Sequence, residues 1–339
     1  MNNRHISATS LAAVTILMLS ACGASKDAPA ASSSSAGSSS AATGSGLTGA
    51  FAAHSPIKKI YFSNVLPSYP PLAEANKCLR DEATKQGIQA QAGGPTGPNV
   101  DNQRNIDLVS QAIANGYDAI ISQPIDKAAF TPVMQQARTA GIWQATINTG
   151  STTDIQNFTI GTDYGVQGST VSKELSKRSG DQYVGIIGDA PTGTNNVFVV
   201  GFKNGITSQN LSNVHFVTNE FDGGKPDKTV DTVLRMLTAH PKINVVMSWQ
   251  GLSTTGIITA IKEKKAIGKI VGVTNDVTAE TTDGIKSGVL YGTSQQNFCK
   301  MAIGAVDSLI SLGKGKTVPK AIDSGITFVT KENVNAVGK

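Results

Sequence analysis

Apolar and polar positions along most of this chain follow two rhythms: short unbroken apolar runs, and longer stretches with apolar residues three or four apart. The segment 116–149 shows both. Residues 118–122 and 142–147 are apolar runs of strand length. Between them Phe130, Val133, Met134 and Ala137 fall at i, i+3, i+4 and i+7, which puts them on one face of a helix. Asp126 can cap that helix and Gly141 can end it. Two buried strands joined through a helix are parallel neighbours with a right-handed crossover.

The rhythm repeats. Further strands are expected at 57–63, 88–92, 158–161, 183–187, 214–218, 243–247, 270–274, 288–293 and 325–329. Helices are expected at 71–86, 100–114, 165–178, 197–209, 252–264 and 296–312. In the helix from 100, Ile106, Leu108, Val109 and Ile113 face the sheet. Another helix opens at Pro226, carries the stripe Val230, Val233, Leu234 and Leu237, and is closed by His240-Pro241. Such alternation means an α/β protein with parallel sheets flanked by helices. The strands are not evenly spaced as in a barrel, and the length beyond Pro56 exceeds one core, so two Rossmann-like lobes are expected.

In open parallel sheets, ligands sit at the carboxyl ends of the strands. The residues that follow the strands here are Tyr69, Gln123, Asn148, Thr149, Asn195, Asn196, Phe221, Trp249, Gln250, Asn275, Asp276 and Gln295. Amides and hydroxyls both donate and accept, matching the hydroxyls of a sugar or polyol. Aromatic faces cover its C–H faces. Any one of these amides alone reads more readily as a turn residue serving its own backbone. Their recurrence after almost every strand favours a ligand.

The start of the chain changes the picture. Arg4 and His5 precede an apolar run, Leu11 to Leu19, followed by Leu19-Ser20-Ala21-Cys22. This is a secretory signal over 1–21, too short to span a membrane, and its end resembles the lipobox of bacterial lipoproteins. Lipidation at Cys22 is therefore expected. Residues 22–56 are dominated by Ala, Ser, Gly and Thr and read as a flexible tether. The Gly44-x-Gly46-x-x-Gly49 pattern falls in that tether rather than between a strand and a helix, so it is no dinucleotide fingerprint.

Charge and histidines mainly exclude. The net charge of +5 is scattered, and the densest basic cluster, 262–265, reads as a solvated helix end, so nothing points to nucleic acid. None of His5, His54, His215 and His240 forms a metal-spaced pair or follows a strand, which argues against a zinc site or a histidine-based triad. Ser311-x-x-Lys314 lies at the end of a helix, where that motif does not act. The glycine turn at 189–193 lacks the lysine of a phosphate loop. No enzyme and no cofactor is expected. Cys78 and Cys299 remain in a chain bound for a disulfide-permitting compartment, either as separate thiols or as a pair.

Specific stretches carry a family likeness. Residues 116–124 (GYDAIISQP), 140–142 (AGI), 160–163 (IGTD), 237–241 (LTAHP) and 270–273 (IVGV) occur in an order that resembles the type I periplasmic binding proteins of the ribose and galactose group. These are the solute-binding components of ATP-driven importers. Residues 94–98 (GPTGP) resemble the branch that binds rhamnose or autoinducer-2. The resemblance implies two lobes joined by a three-crossover hinge with the ligand between them. One lobe would comprise 57–161 and 296–321, the other 162–295 and 322–339, with Gln295 at a hinge. It also places Cys78 and Cys299 on helices covering the same face of the first lobe, which implies a disulfide.

Departures from the ribose pattern are informative. Only Tyr69 can stack in the first turn, where the relatives have paired aromatics. Asn148-Thr149 replaces an Asp-Arg pair, Asn195-Asn196 replaces an arginine, and Gln250-Gly251 replaces Asn-Asp. Trp249 supplies aromatic surface, and Asp276 is the main charge left. An uncharged ligand other than ribose is implied. The expected role is capture of a small neutral sugar or polyol outside the cytoplasm by a lipid-anchored monomer, with delivery to an ABC permease and its ATPase. A sensor lipoprotein presenting a sugar-like signal to a receptor fits the same residues. A sugar-responsive repressor would need a DNA-binding domain where the signal segment lies.

Overall fold

A computed structural model of the chain describes residues 56–149 and 155–337. The signal segment, Cys22 and the tether through Ser55 lie outside the described residues. In chain order the elements begin β1 (Lys59–Ser63), α1 (Pro70–Lys85), β2 (Gln89–Gly93), α2 (Asn102–Ala114), β3 (Ala119–Ser122), α3 (Lys127–Thr139), β4 (Trp143–Ile147) and β5 (Phe158–Gly161). There follow α4 (Tyr164–Ser176), β6 (Gln182–Gly188), α5 (Gly193–Ser208), β7 (Val214–Phe221), α6 (Pro226–Ala239), β8 (Val245–Ser248) and α7 (Thr254–Glu263), the last preceded by a 3-10 turn. The chain continues through β9 (Val271–Asn275), α8 (Ala279–Lys286), β10 (Leu290–Gln296), α9 (Phe298–Gly313), β11 (Ala321–Asp323) and β12 (Ile326–Thr330).

Two six-stranded sheets result, ordered β11-β5-β4-β3-β1-β2 and β12-β10-β9-β8-β6-β7. Each is buried on both faces. In the first lobe, Leu72, Ala75 and Leu79 of α1 and Met301, Ala305 and Leu309 of α9 pack on Phe62, Ile147 and Phe158. The opposite face meets Val109 of α2 and Phe130, Val133 and Met134 of α3. The second sheet is covered on one face by α6, α7 and α8 and on the other by α4 and α5. Phe62, fully buried in the first core, would cost about 3–5 kcal/mol if truncated to alanine. Cys78 of α1 and Cys299 of α9 are joined by a disulfide with their Cα atoms 5.4 Å apart.

The segment from 116 to 149 forms as its pattern dictates. Asp126 accepts a hydrogen bond from the Ala129 N–H at the start of α3, and Gly141 leaves the helix with φ 75°. β3 and β4 are parallel neighbours.

Four features depart from expectation. Helix α8 was not foreseen, since only Thr281, Gly284 and Ile285 of it are buried and they make no long stripe. Neither was β11, a three-residue edge strand with a largely exposed surface. Helix α5 starts at Gly193, so Asn195 and Asn196 sit in its first turn rather than in a preceding loop. Strand β12 runs antiparallel to β10, which makes the second sheet mixed. The reason is the route. β11 ends at the carboxyl edge of the first sheet, and the chain turns at Gly325 directly into the second sheet. With no helix to carry it to the far edge, it enters from the carboxyl side and runs backwards.

Three connections join the sheets: β5 to α4, β10 to α9, and β11 to β12. The carboxyl ends of both sets of parallel strands meet between the lobes.

Candidate functional site

Asp276 is the centre of the residues that meet there. It follows β9 with φ 66°, a left-handed conformation that few side chains adopt. Two bonds to β10 hold it: its N–H donates to the Ser294 carbonyl at 2.8 Å, and its carbonyl accepts from Thr293 Oγ1 at 2.8 Å. The side chain is 4 % exposed. Oδ2 accepts from the Tyr69 hydroxyl at 2.8 Å and Oδ1 from Gln296 Nε2 at 3.1 Å. Burial pushes the carboxyl up to about 6, against the pull of those two hydrogen bonds. Burial and the adjacent carboxylate push the Tyr69 phenol far above its ordinary range.

Tyr69 comes from the other lobe. It is the residue before α1, extended at φ −79° and ψ 120°, and two prolines in the first turn of the helix fix its direction. Its body packs on the first core. The link between the lobes continues through Gln296, whose Oε1 lies 3.1 Å from Thr162 Oγ1 and 3.2 Å from the Tyr164 hydroxyl. The Tyr164 hydroxyl also donates to Asn148 Oδ1 at 2.9 Å. The Tyr164 ring meets Trp249 edge to face, with centroids 5.4 Å apart. Burial raises the Tyr164 phenol too, so it stays a donor. Beneath the network, buried Gln167 donates to Asn275 Oδ1 at 2.6 Å and to Ser294 Oγ at 3.0 Å.

A second set of polar groups has no partner in the fold. Among the described residues, ten buried side-chain nitrogens and oxygens lack a hydrogen bond, and six belong to Asp189, Asn195, Trp249, Gln250 and Thr254. All of these lie behind β6 and β8, at the carboxyl edge of the second sheet. Asn195 is fully buried against Gly188 and has neither amide atom satisfied. Asp189 and Gln250 flank Gly224. A buried polar group with no partner in the fold is uncommon and unfavourable, so a cluster at a strand end marks a candidate binding site.

Of the residues the sequence singled out, the structure joins Tyr69, Asn148, Trp249, Asn275 and Asp276 in one network of contacts. Asn195 and Gln250 belong to the unpartnered set. Gln123 is buried and accepts from the Val65 N–H at 3.4 Å, and Thr149 donates to the Pro124 carbonyl at 3.2 Å. Each therefore ties its loop to the loop behind a neighbouring strand. Gln295 lines a small cavity of about 130 Å³ with Gln296, Pro70, Pro71, Glu74 and Asn297. Asn196 is exposed in a groove between α4 and α5, beside Val197 and Val200. Phe221, 38 % exposed at the end of β7, lines a depression with Gly223 and Lys225. Gln296, Tyr164 and Thr162 were not foreseen. For Gln296 the signal was present, because residues two apart on a strand share a face and Ser294 already faces Asn275. One cluster of metal-ligating type occurs among the described residues, Glu74 with Cys78 and Cys299, and its two sulfurs are already bonded to each other.

Two lobes whose strand ends meet over shared polar groups are the architecture of a binding cleft. Residues 60–317 match the model of the periplasmic binding protein domain. The chain belongs to the periplasmic binding protein family. It is 26 % identical over 247 residues to the D-ribose/D-allose-binding protein of Pseudomonas aeruginosa, covering 70 % of this chain and 75 % of that protein. Among solved structures it is similar to a glucose-galactose binding protein from Geobacillus stearothermophilus, with TM-score 0.73 and 20 % identity over 82 % of this chain and 98 % of that one. It is also similar to an ABC transporter solute binding protein from Burkholderia graminis in complex with D-arabinose. There the TM-score is 0.71 and identity 23 %, over 84 % of this chain and 99 % of that one. These likenesses show the fold of this periplasmic binding protein. None of its described helices is long and apolar enough to cross a membrane.

Proposed function

We propose that this chain captures a small neutral sugar or polyol between its lobes and delivers it to an ABC permease. The observation that carries this is the unpartnered set behind β6 and β8. Asn195, Gln250, Trp249 and Thr254 offer buried donors and acceptors in the neutral forms that hydroxyl groups satisfy. Among the described residues, the hydrogen-bonded network around Asp276 includes no lysine or arginine, so none of them balances a carboxylate or phosphate. Asp276 itself repels anions. The names of the Pseudomonas and Burkholderia proteins support the same ligand class.

On this reading, Cys22 is lipidated, residues 22–56 tether the lobes to the membrane outside the cytoplasm, and the protein acts as a monomer. Release and capture use a hinge motion about the three connections between the sheets. Asn148, Asn195, Trp249 and Gln250 line the site, and the Tyr69–Asp276 pair joins the lobes beside it. A thermal-shift screen over D-ribose, D-allose, D-arabinose, L-rhamnose and acyclic polyols tests the reading. The deoxysugar is included for the likeness of residues 94–98 to rhamnose-binding relatives. Stabilisation by at least one neutral compound is expected. Stabilisation by carboxylates or sugar phosphates alone would refute it.

A further inference from the structure

Among the described residues, only one side chain crosses from the first lobe to the buried carboxylate of the second. Tyr69 is anchored by its ring in the first core and by the two prolines of α1, and its hydroxyl ends 2.8 Å from Asp276 Oδ2. Asp276 is otherwise held by the second lobe: Gln296, Ser294 and Thr293 all belong to β10. The approach depends on Gly251, in the turn after β8. A Cβ at this position would overlap the Tyr69 hydroxyl and stand 2.8 Å from Asp276 Oδ2. Gly251 does not have the positive φ that would make glycine a backbone requirement. It is therefore the space above Gly251 that matters, and the Tyr69 hydroxyl fills it.

We propose that Tyr69, Gly251 and Asp276 form a latch that closes the lobes on each other without ligand. The tyrosine hydroxyl occupies the carboxylate oxygen nearest the first lobe. Recognition of the ligand is left to the unpartnered amides behind β6 and β8. Tyr69 is then a positioning residue: it sets how often the cleft is closed, and weakens or strengthens every ligand by the same factor. Gln250 and Asn195 set which ligand is preferred.

The test uses the full chain without added sugar, so its outcome does not depend on whether the sugar reading is right. Small-angle scattering reports the separation of the lobes. Hydrogen exchange over 248–254 and 275–277 reports exposure of the latch. Tyr69→Phe keeps the ring packing and removes only the hydroxyl. It should raise the open-to-closed ratio roughly tenfold or more, the effect of losing one hydrogen bond to a charged group. Scattering should show a larger radius and exchange should speed up in both segments. Gly251→Ala should open the lobes from the other side. In a double-mutant cycle on thermal stability, Tyr69→Phe and Asp276→Ala should be strongly non-additive, since they remove the two ends of one bond. A Tyr69→Phe protein as compact as wild type, or additive effects in the cycle, would overturn the latch. If Gly251→Ala fails to fold, Tyr69→Phe and the cycle decide alone.

Discussion

In the first lobe the polar groups behind the strands are used inside the fold. Gln123 holds the Val65 backbone, Thr149 holds Pro124, and Asn148 receives the Tyr164 hydroxyl. In the second lobe the matching positions are left wanting. Six unpartnered buried polar atoms lie behind β6 and β8, and none of the described residues of the first lobe contributes one. The two sheets have the same strand order and place left-handed residues, Asn148 and Asp276, behind corresponding strands. They nevertheless divide the work. On the proposed reading, one lobe is preassembled and acts as the cover, and the other carries the unmet hydrogen bonds that a ligand completes. In a duplicated architecture, specificity can therefore be concentrated in one half.

Breaking the disulfide should have the largest effect, and should touch the cover rather than the recognising lobe. Replacing Cys78 and Cys299 by serine should lower stability by about 2–5 kcal/mol, read by urea unfolding with and without reductant. Stability unchanged by reduction would argue that the two helices hold the lobe alone.

Next comes pH. The Asp276 carboxyl stands at about 6 in the folded protein against 3.8 for the free group, so the folded state holds a proton that the unfolded state has lost between those values. Stability should therefore fall as pH rises through that window, by about 3 kcal/mol for this group. Asp276→Asn should remove the fall and be the more stable form at pH 7. Identical pH profiles for the two proteins would refute the burial of a charge there.

Smaller but more selective effects separate the lobes directly. Asn195→Ala and Gln250→Ala should each weaken binding of the screened sugar by about 1–3 kcal/mol with little change in unliganded stability, measured by calorimetry. Gln123→Ala should do the reverse, lowering stability by about 1 kcal/mol through its bond to Val65 and leaving affinity nearly intact. If the Gln123 and Gln250 variants behave alike, the contrast between the lobes is wrong.

The order of strands and helices could be read from apolar spacing, because long stripes such as Phe130, Val133, Met134 and Ala137 leave few alternatives. What could not be read was which member of a polar pair faces the cleft. The chain places Asn195 beside Asn196 and Gln295 beside Gln296. Neighbours on a strand point to opposite faces, and neighbours in a helix diverge by about 100°. The structure turns Asn195 and Gln296 inward and leaves Asn196 exposed. Composition does not encode that choice. It is set by register: the start of α5 at Gly193, and an irregularity in the pairing of β10 with β9 between Leu290 and Gly292. Tyr164 was hidden for another reason. It opens a helix rather than ending a strand, so a search of strand ends passes over it.

The connections between the sheets also govern how the molecule can be made. The first lobe takes Phe298, Met301, Ala305 and Leu309 of α9 into its core, and β11 closes its edge. Both arrive after nearly all of the second lobe has been synthesised. The second sheet in turn waits for β12, the last strand in the chain. Neither half can therefore be finished while the other is still emerging. In a chain threaded outward from its N-terminus, the first sheet gains its edge only once residue 323 has emerged and the second only once residue 330 has, so both halves are completed within the same last stretch.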